Sequence, residues 1–285
     1  MILRIAWRPS KRLDLWAWPC WSRSSWVSPV FRQPRTAAAA LRQVVIAACP
    51  NPICSNQCCR WPILPPPSAA ADPEAFIRAH TAPGPVPLRP DIILWQATEI
   101  TPIWHATADW LEHHAVPPPF WAFPWAGGQA ISRLIADEPS LVAGKRVVDF
   151  AAGSGLIAIA AAKAGAAQVT ALDIDPFAGA ATLLNAALNK VRVRTLVADM
   201  IGQKLPGTDI ILAGDVCYEQ AFAEAALAWF RDLARAGITV LVGDPGRAYL
   251  PSQGLCRLAS YDVPTSLELE DRDVRHTDVW RVPMD

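Results

Sequence analysis

The stretch RVVDFAAGSG, residues 146–155, decides the fold. Its first half, Arg146–Phe150, reads as a short buried strand, and the small residues of its second half follow without a spacer. Leu156 to Ala164 contains no Gly or Pro and predicts a helix. A strand, a turn of small residues and a helix in this order indicate the first unit of an open α/β sheet, in which ligands bind at the carboxyl ends of the strands.

The same unit repeats along the rest of the chain. Short β-branched runs alternate with longer Ala- and Leu-rich stretches, as is typical of helices that pack around a parallel sheet. Further strands are predicted at Gln168–Asp173, Val191–Ala198, Asp209–Ala213 and Ile238–Val242, and further helices at Gln129–Ala136, Pro176–Asn189 and Ala221–Arg235.

The pattern changes after Gly246. We expect a short helix near Tyr249–Leu258 and then two alternating stretches, Ala259–Pro264 and Val274–Val282, that pair as antiparallel strands. The sequence therefore predicts an α/β, Rossmann-like fold, with a mostly parallel seven-stranded sheet, helices on both faces and an antiparallel C-terminal strand pair.

The charge of the chain is distributed unevenly. Its 285 residues carry 26 basic and 26 acidic side chains. Nine of the basic residues and only one of the acidic ones lie in residues 1–71, so this segment is strongly basic and the remainder acidic. A general nucleic-acid binder needs a basic surplus, which the globular part lacks. We predict a leader at 1–72 and one domain at 73–285.

The leader gives three alternatives. It contains no run of about 18 apolar residues, so it predicts no membrane span. It is Arg-rich and acid-poor, which fits an organelle transit peptide, but we favour a disordered segment or an extension translated from a start placed too early. Its five cysteines lack paired C-x-x-C spacing and have no neighbouring His, so we predict no metal site. The predicted location is cytoplasmic, or the mitochondrial matrix if the leader is a transit peptide.

Acidic residues follow three consecutive predicted strands. Asp149, Asp173 and Asp199 all fall at the carboxyl edge of the sheet, beside a loop that contains Ala151, Gly153 and Gly155. Asp173 lies eighteen residues after Gly155, where an acid can hydrogen-bond both hydroxyls of a ribose. The alternative is a tight turn without a ligand, but three acids at one edge favour a nucleoside-containing cofactor.

The loop resembles motif I of the S-adenosylmethionine-dependent methyltransferases. The resemblance implies S-adenosyl-L-methionine as cofactor and implies that Asp149 serves its amino-acid part. One departure is Ala151, which stands where the motif usually has its first glycine and puts cofactor affinity in doubt. An NAD site is the weaker alternative, because a carboxylate beside a pyrophosphate would repel it.

The stretch after the fourth parallel strand narrows the resemblance. Asp215 and Tyr218 form a D-x-x-Y pattern that looks like the signature of seven-β-strand protein lysine methyltransferases. With PPPFWAFPWAGGQA (117–130), DIDPFA (173–178) and GDPGR (243–247), the chain resembles the electron-transfer flavoprotein β-subunit lysine methyltransferases and their bacterial relatives over about Glu74–Val282. The resemblance implies that the substrate is a protein lysine, that of the electron-transfer flavoprotein β subunit. We also expect a monomer that binds neither nucleic acid nor membrane.

The catalytic pair is predicted to be Asp215 and Tyr218. Asp215 would attract and orient the lysine and share its departing proton, and Tyr218 would line the lysine channel. The alternative is that Asp215 caps the following helix and Tyr218 packs in it.

The remaining predicted cofactor residues are Trp125, Gly127 and Ala213. Trp125 and Trp121 would cover the cofactor, or would be core residues. For Asp244 and Arg247 a turn is the simplest interpretation. The pair His113-His114 is interpreted as solvated surface, and no metal ligands are predicted.

Three other functions remain open from the residues alone. They are a small-molecule N-methyltransferase, an NAD-type Rossmann oxidoreductase, and a non-catalytic binding module with the same fold.

Overall fold

The computed structural model describes residues 72–97 and 118–284, and these form a central sheet with helices on both faces. The sheet contains β3 (Arg146–Phe150), β4 (Gln168–Asp173), β5 (Arg194–Val197), β6 (Ile210–Gly214), β7 (Thr239–Asp244), β8 (Cys256–Pro264) and β9 (Val274–Arg281). A separate hairpin consists of β1 (Ala82–Val86) and β2 (Arg89–Gln96). The strand order of the sheet is β5-β4-β3-β6-β7-β9-β8.

The five strands from β3 to β7 are parallel, and β9 runs antiparallel to both β7 and β8. The carboxyl ends of the parallel strands therefore meet at one edge. This is the edge at which the sequence predicts a ligand site.

The central strands are buried on both faces. Along β3, Val147 packs into one core cluster and Val148 into the other. Along β6, Ile210 and Ile211 divide in the same way. Since successive side chains of a strand point to opposite faces, an uninterrupted apolar run is what a strand between two helical layers requires.

The helices are α1 (Pro73–His80), α2 (Ala126–Asp137), α3 (Leu156–Lys163), α4 (Pro176–Leu188), α5 (Gln220–Arg235) and the short α6 (Leu267–Glu270). Helices α2 and α3 pack against one face of the sheet, and α5 packs against the other. Asp175 begins α4 by accepting a hydrogen bond from the Phe177 N–H at 2.8 Å. None of the helices in the described part of the chain is long and apolar enough to cross a membrane.

The predicted fold class is confirmed, with two local differences. The third parallel strand is shorter than predicted, at Arg194–Val197. The helix expected near Tyr249–Leu258 is wrong, since turns and bends lead there into β8, which begins at Cys256. Pro251 and Gly254 explain the difference: proline cannot donate the hydrogen bond of a helix interior, and Gly254 has a left-handed φ of 79°.

Helix α1 and the β1–β2 hairpin were not predicted. The hairpin is held by two amide side chains, that of Asn185 in α4 and that of Asn189, which directly follows this helix. Asn185 Oδ1 accepts from the Trp95 N–H at 2.7 Å, and its Nδ2 donates to the Ser154 carbonyl at 2.8 Å. Asn189 both accepts from the Ile93 N–H and donates to the Ile93 carbonyl. One fully buried amide, Asn185, thus joins the hairpin to the predicted cofactor loop.

We predict that Asn185→Ala lowers the free energy of unfolding by about 2 to 4 kcal/mol, because it leaves the buried Ser154 carbonyl and the partly buried Trp95 N–H without their partner. Denaturant unfolding measures the loss. The matched control is Gln220→Ala, since this exposed amide bonds only Glu224 in the described part of the chain and should change stability by less than about 0.5 kcal/mol. Equal effects of the two substitutions would show that the Asn185 bridge contributes nothing.

Candidate active site

The loop between β3 and α3 is bent by three residues with left-handed backbones. The φ angles are 54° at Ala151, 51° at Gly153 and 74° at Gly155. A Cβ on Gly155 would lie 2.6 Å from Thr182 Oγ1, so the loop passes directly against α4. The conformation brings backbone N–H groups to the carboxyl edge. Ala151 alone adopts it with a side chain, at a cost of about 1 kcal/mol or more.

Two of the predicted acids hold this loop. Asp149 is fully buried, and its Oδ2 accepts from the Ala158 N–H of α3 at 2.9 Å. Asp173 Oδ2 accepts from the Gly153 N–H at 2.9 Å, and its Oδ1 accepts from the Asp175 N–H at 3.0 Å. Burial raises the pKa of Asp149 well above its usual range and also raises that of Asp173. Each acid keeps acceptor capacity for a further donor.

The chemistry of these acids fits S-adenosylmethionine. Asp149 Oδ1 is buried and has no hydrogen-bond partner among the described residues. The ammonium of an amino acid is the kind of partner that it lacks, and Asp173 can accept from ribose hydroxyls. Burial raises the pKa of the neighbouring Asp175 to about 6. Three carboxyl groups around one loop favour a cationic ligand and oppose a pyrophosphate.

Ile174 is a functional candidate that the sequence reasoning missed. It follows Asp173 directly, and 72% of it is exposed although it is a large apolar residue. An exposed apolar side chain beside Asp173, the acid predicted to bind the ribose, offers a surface on which an adenine ring could pack. The signal in the sequence was an apolar residue between two acids, Asp173 and Asp175, at the end of a strand.

Three other predicted cofactor residues occupy different surroundings. Asp199 is exposed and accepts from the Ile201 N–H at 3.0 Å, on the rim after β5. Ala213 is fully buried in a core cluster, so only its backbone reaches the carboxyl edge. Gly127 lies in the first turn of α2, where its N–H donates to Asp215 Oδ2 at 2.6 Å. The contacts of Gly127 therefore show a packing role.

The N-terminus of α2 rests on the ends of β6 and β7 with almost no space between the backbones. A Cβ on Gly127 would lie 2.2 Å from the Gly243 carbonyl oxygen. A Cβ on Gly214 would lie 2.7 Å from the Gly128 nitrogen. Any larger residue at these positions would displace the helix, so Gly127 and Gly128 of FPWAGGQ, Gly214 of AGD and Gly243 of GDPGR belong to one contact.

Asp215 closes this contact. Its Oδ2 accepts from the N–H groups of Gly127 and Gly128 at 2.6 and 3.2 Å. Its Oδ1 accepts from Arg247 Nη2 and Nε at 2.7 and 3.2 Å. Asp215 itself has a left-handed φ of 56°. Burial raises the pKa of the Asp215 carboxyl, and the Arg247 guanidinium opposes that shift.

Arg247 belongs to a buried ionic cluster that the sequence reasoning did not find. Its Nη2 and Nη1 donate to Glu270 Oε1 and Oε2 at 2.7 and 2.9 Å. Arg275 Nε adds a longer contact to Glu270 Oε2 at 3.3 Å. The predicted turn is present, since Asp244 Oδ1 accepts from the N–H groups of Gly246 and Arg247. GDPGR thus supplies both a turn and a buried cation.

An aromatic wall borders the same edge. We use this name for Phe120, Trp125 and Tyr218. The ring of Phe120 lies 6.0 Å from that of Trp125 and 5.6 Å from that of Tyr218, and Trp125 Nε1 donates to the Phe120 carbonyl at 2.8 Å. Trp121, by contrast, is buried in the core and stacks on Phe177. Burial, with Asp173 and Glu219 nearby, raises the pKa of Tyr218 to about 12.

The alternative in which Asp215 caps the following helix is wrong. Glu219 begins α5, since its carboxylate accepts from the N–H groups of Ala221 and Phe222. Asp215 binds the first turn of α2 instead. Tyr218 is half-buried and packs 5.8 Å from the ring of Phe222, so it contacts α5 as well as Phe120.

The strand order, the glycine turn after β3 and the acids at the carboxyl edge together define an S-adenosylmethionine-dependent methyltransferase. Residues 133–216 match the family described as Ribosomal protein L11 methyltransferase (PrmA). This match covers the C-terminal part of α2, the predicted cofactor loop and the strands up to Asp215.

Longer matches come from three vertebrate proteins, each called "Electron transfer flavoprotein beta subunit lysine methyltransferase". The Xenopus laevis protein is 35% identical over 86% of this chain and 98% of its own length. The Danio rerio protein is 38% identical over 68% and 76%, and the Homo sapiens protein is 34% identical over 73% and 82%. The chain belongs to the electron transfer flavoprotein beta subunit lysine methyltransferase family. It is a protein-lysine methyltransferase, and the oxidoreductase and small-molecule alternatives are set aside.

We predict that Ala151→Gly raises the free energy of unfolding by about 0.5 to 1 kcal/mol, since relief of the left-handed strain exceeds the added entropy of the unfolded chain. Denaturant unfolding tests the stability, and calorimetric titration with S-adenosylhomocysteine tests the affinity, which should not weaken. Ala152→Gly, one position on, is the matched control and should destabilise, because Ala152 has no positive φ. A loss of stability in Ala151→Gly would contradict the strain assigned to this residue.

Proposed function

We propose that the chain transfers the methyl group of S-adenosylmethionine to a lysine ε-amine of the electron-transfer flavoprotein β subunit. The assignment of this substrate rests on the match with the Xenopus laevis relative, which spans 98% of that protein. The PrmA match ends at residue 216 and leaves out Tyr218, the GDPGR turn and the C-terminal hairpin. The match with the Xenopus laevis protein extends over a longer part of this chain than the PrmA match does, which supports the flavoprotein as substrate over ribosomal protein L11.

The cofactor is assigned to the loop after β3 and to the acids around it. Asp149 Oδ1 would hold the amino group, Asp173 the ribose hydroxyls, and Ile174 the adenine ring. Bound S-adenosylmethionine supplies a sulfonium methyl group that is already activated for displacement, so the protein contributes mainly by positioning the acceptor. The reaction needs no covalent enzyme intermediate, so neither Cys217 nor Cys256 has to act as a nucleophile.

The acceptor lysine must attack as the neutral amine. At pH 7 its deprotonation costs roughly 4 to 5 kcal/mol, given a usual pKa of about 10.4. A free carboxylate next to the lysine would increase that cost, because it stabilises the ammonium form. Asp215 does not act as a free carboxylate here, since four N–H groups already bind its two oxygens.

These contacts change the role that we assign to the catalytic pair. We propose that Asp215 contributes by holding the first turn of α2 in place. Tyr218 and Phe120 line the approach of the lysine with aromatic surface, which favours the neutral amine by excluding water and can add a cation–π contact of about 0.5 to 2 kcal/mol during approach. The proton leaves with solvent after the amine binds.

The substrate is tested with labelled S-adenosylmethionine and two purified acceptors, electron-transfer flavoprotein and ribosomal protein L11. L11 is the matched comparison, because the family that matches residues 133–216 is named for it. We expect the label on a lysine of the β subunit, located by mass spectrometry, and none on L11. Label on L11 alone would assign the chain to the other substrate. The proposed cytoplasmic location and monomeric state remain separate predictions.

The aromatic wall is tested at Tyr218. We expect Tyr218→Ala to lower kcat/KM for the protein substrate by about tenfold, the equivalent of about 1.4 kcal/mol of lost ring contact. Tyr218→Phe keeps the ring and should stay within about threefold of the wild type. If Tyr218→Phe loses as much as Tyr218→Ala, the phenol oxygen and not the aromatic surface is the group that acts.

A further inference from the structure

Four charged side chains from four different segments meet beside the aromatic wall. Asp215 follows β6, Arg247 follows β7, Glu270 ends α6, and Arg275 lies on β9. The side chains of Asp215, Arg247 and Glu270 are only 9%, 8% and 1% exposed. Burying charges is costly, and such clusters add little stability compared with apolar residues of the same volume. Their place at the site therefore calls for a role beyond stability.

The geometry shows what the cluster holds. A carboxyl group can accept four N–H bonds only when it is ionised, because the protonated form gives up acceptor capacity and gains a donor. Two of the four donors on Asp215 come from Arg247, and Arg247 is in turn bonded through both terminal nitrogens to Glu270. Glu270 thereby fixes the guanidinium in the plane that faces Asp215.

The other two donors belong to the first turn of α2. Gly127 and Gly128 bring with them Trp125, the residue immediately before this helix. The ring of Trp125 also lies 5.7 Å from Arg247 Cζ, as a cation–π contact. Arg247 thus contacts the aromatic wall directly, and it also supports the wall indirectly, through Asp215 and the first turn of α2.

We propose that Arg247, oriented by Glu270, is a positioning residue for methyl transfer, which keeps Asp215 ionised and bonded to the first turn of α2. The proposal rests on the proposed function, since the reaction that it positions is lysine methylation at the aromatic wall. Protonation of Asp215 at Oδ2 releases at least one of these backbone N–H groups, and the first turn of α2, which Trp125 precedes, then loses part of its support.

Other titratable groups face the same cluster and have to be separated from Asp215. Asp244 is the nearest, and burial, together with the charge of Asp215, raises its pKa to about 6. Cys217 is also close, but burial raises the pKa of its thiol to about 12, so it stays protonated. Glu270 and Arg275 complete the set. The experiment therefore needs a variant in which Asp215 alone cannot titrate.

The first test follows the amide proton of Gly127 by NMR as a function of pH. In the wild type we expect this resonance to move less with pH than in the variant, because Arg247 opposes the upward shift that burial gives the pKa of Asp215. In Arg247→Gln it should shift as the pH falls, because burial then raises the pKa of Asp215 without the opposing charge of Arg247. The shift should disappear in the double variant Arg247→Gln/Asp215→Asn, whereas titration of Asp244 would leave it present.

The second test measures methylation of the β subunit over the same pH range. Arg247→Gln should lose about ten- to a hundredfold in kcat at pH 7 and regain part of it as the pH rises, with KM for the protein changed by less than about threefold. Arg247→Lys retains the charge and should lose less than about tenfold without the new pH dependence. Glu270→Gln should lower kcat by about fivefold and move the Gly127 resonance.

The control is Asp209→Asn at the opposite end of β6. Asp209 directly precedes β6 and pairs with Arg146 of β3 at 2.7 Å, so this variant also breaks an ion pair, but at an exposed site away from the carboxyl edge. It should leave kcat and the Gly127 resonance unchanged. If Arg247→Gln does not fold, Glu270→Gln and Arg247→Lys decide the question.

Two outcomes overturn the proposal. One is a pH-independent loss of kcat in Arg247→Gln with an unmoved Gly127 resonance, and the other is a Glu270→Gln variant identical to the wild type in both measurements. A wild-type protein that does not methylate the β subunit would instead refute the proposed substrate, and the NMR titration would still test Arg247.

Discussion

The contact between the first turn of α2 and the ends of β6 and β7 is the constraint on which the site depends. Backbone meets backbone there, since a Cβ on Gly127 or Gly243 would lie 2.2 or 2.3 Å from a carbonyl oxygen of the other segment. The positive end of the helix then points at the carboxyl edge, where Asp215 meets it. The position of this helix also positions Trp125, which directly precedes it, and Trp125 Nε1 in turn binds the Phe120 carbonyl. These two residues form part of the aromatic wall.

The same edge concentrates negative charge, and burial raises the pKa of most of these carboxyl groups. Asp175 and Asp244 each have a pKa of about 6 in the folded chain. Because these values are raised, the stability that the two groups contribute is complete below their unfolded pKa of about 4 and is lost as the pH rises through about 6. At neutral pH both carboxyl groups are therefore charged in the folded chain, and their negative charge is unfavourable there.

Local sequence patterns predicted the sheet because each central strand can be recognised from its own residues. The apolar runs of these strands fit a strand that is covered by helices on both faces, and they contain Val147, Val148, Ile210 and Ile211. The acids near the ends of the runs mark the predicted ligand edge. The β1–β2 hairpin gave no such pattern, because its position depends on Asn185 of α4, 90 positions from Trp95. The helix expected at Tyr249–Leu258 failed where Pro251 and Gly254 oppose helix formation.

The role of Asp215 shows why a motif alone could not describe the site. The D-x-x-Y pattern places an acid at the correct edge, but whether its oxygens are free depends on Gly127, 88 positions away, and Arg247, 32 positions away. Those contacts decide the chemistry. A free carboxylate at this edge would hold the acceptor lysine as its ammonium form and oppose transfer. A carboxylate saturated by a helix N-terminus and an arginine organises the same edge without that penalty.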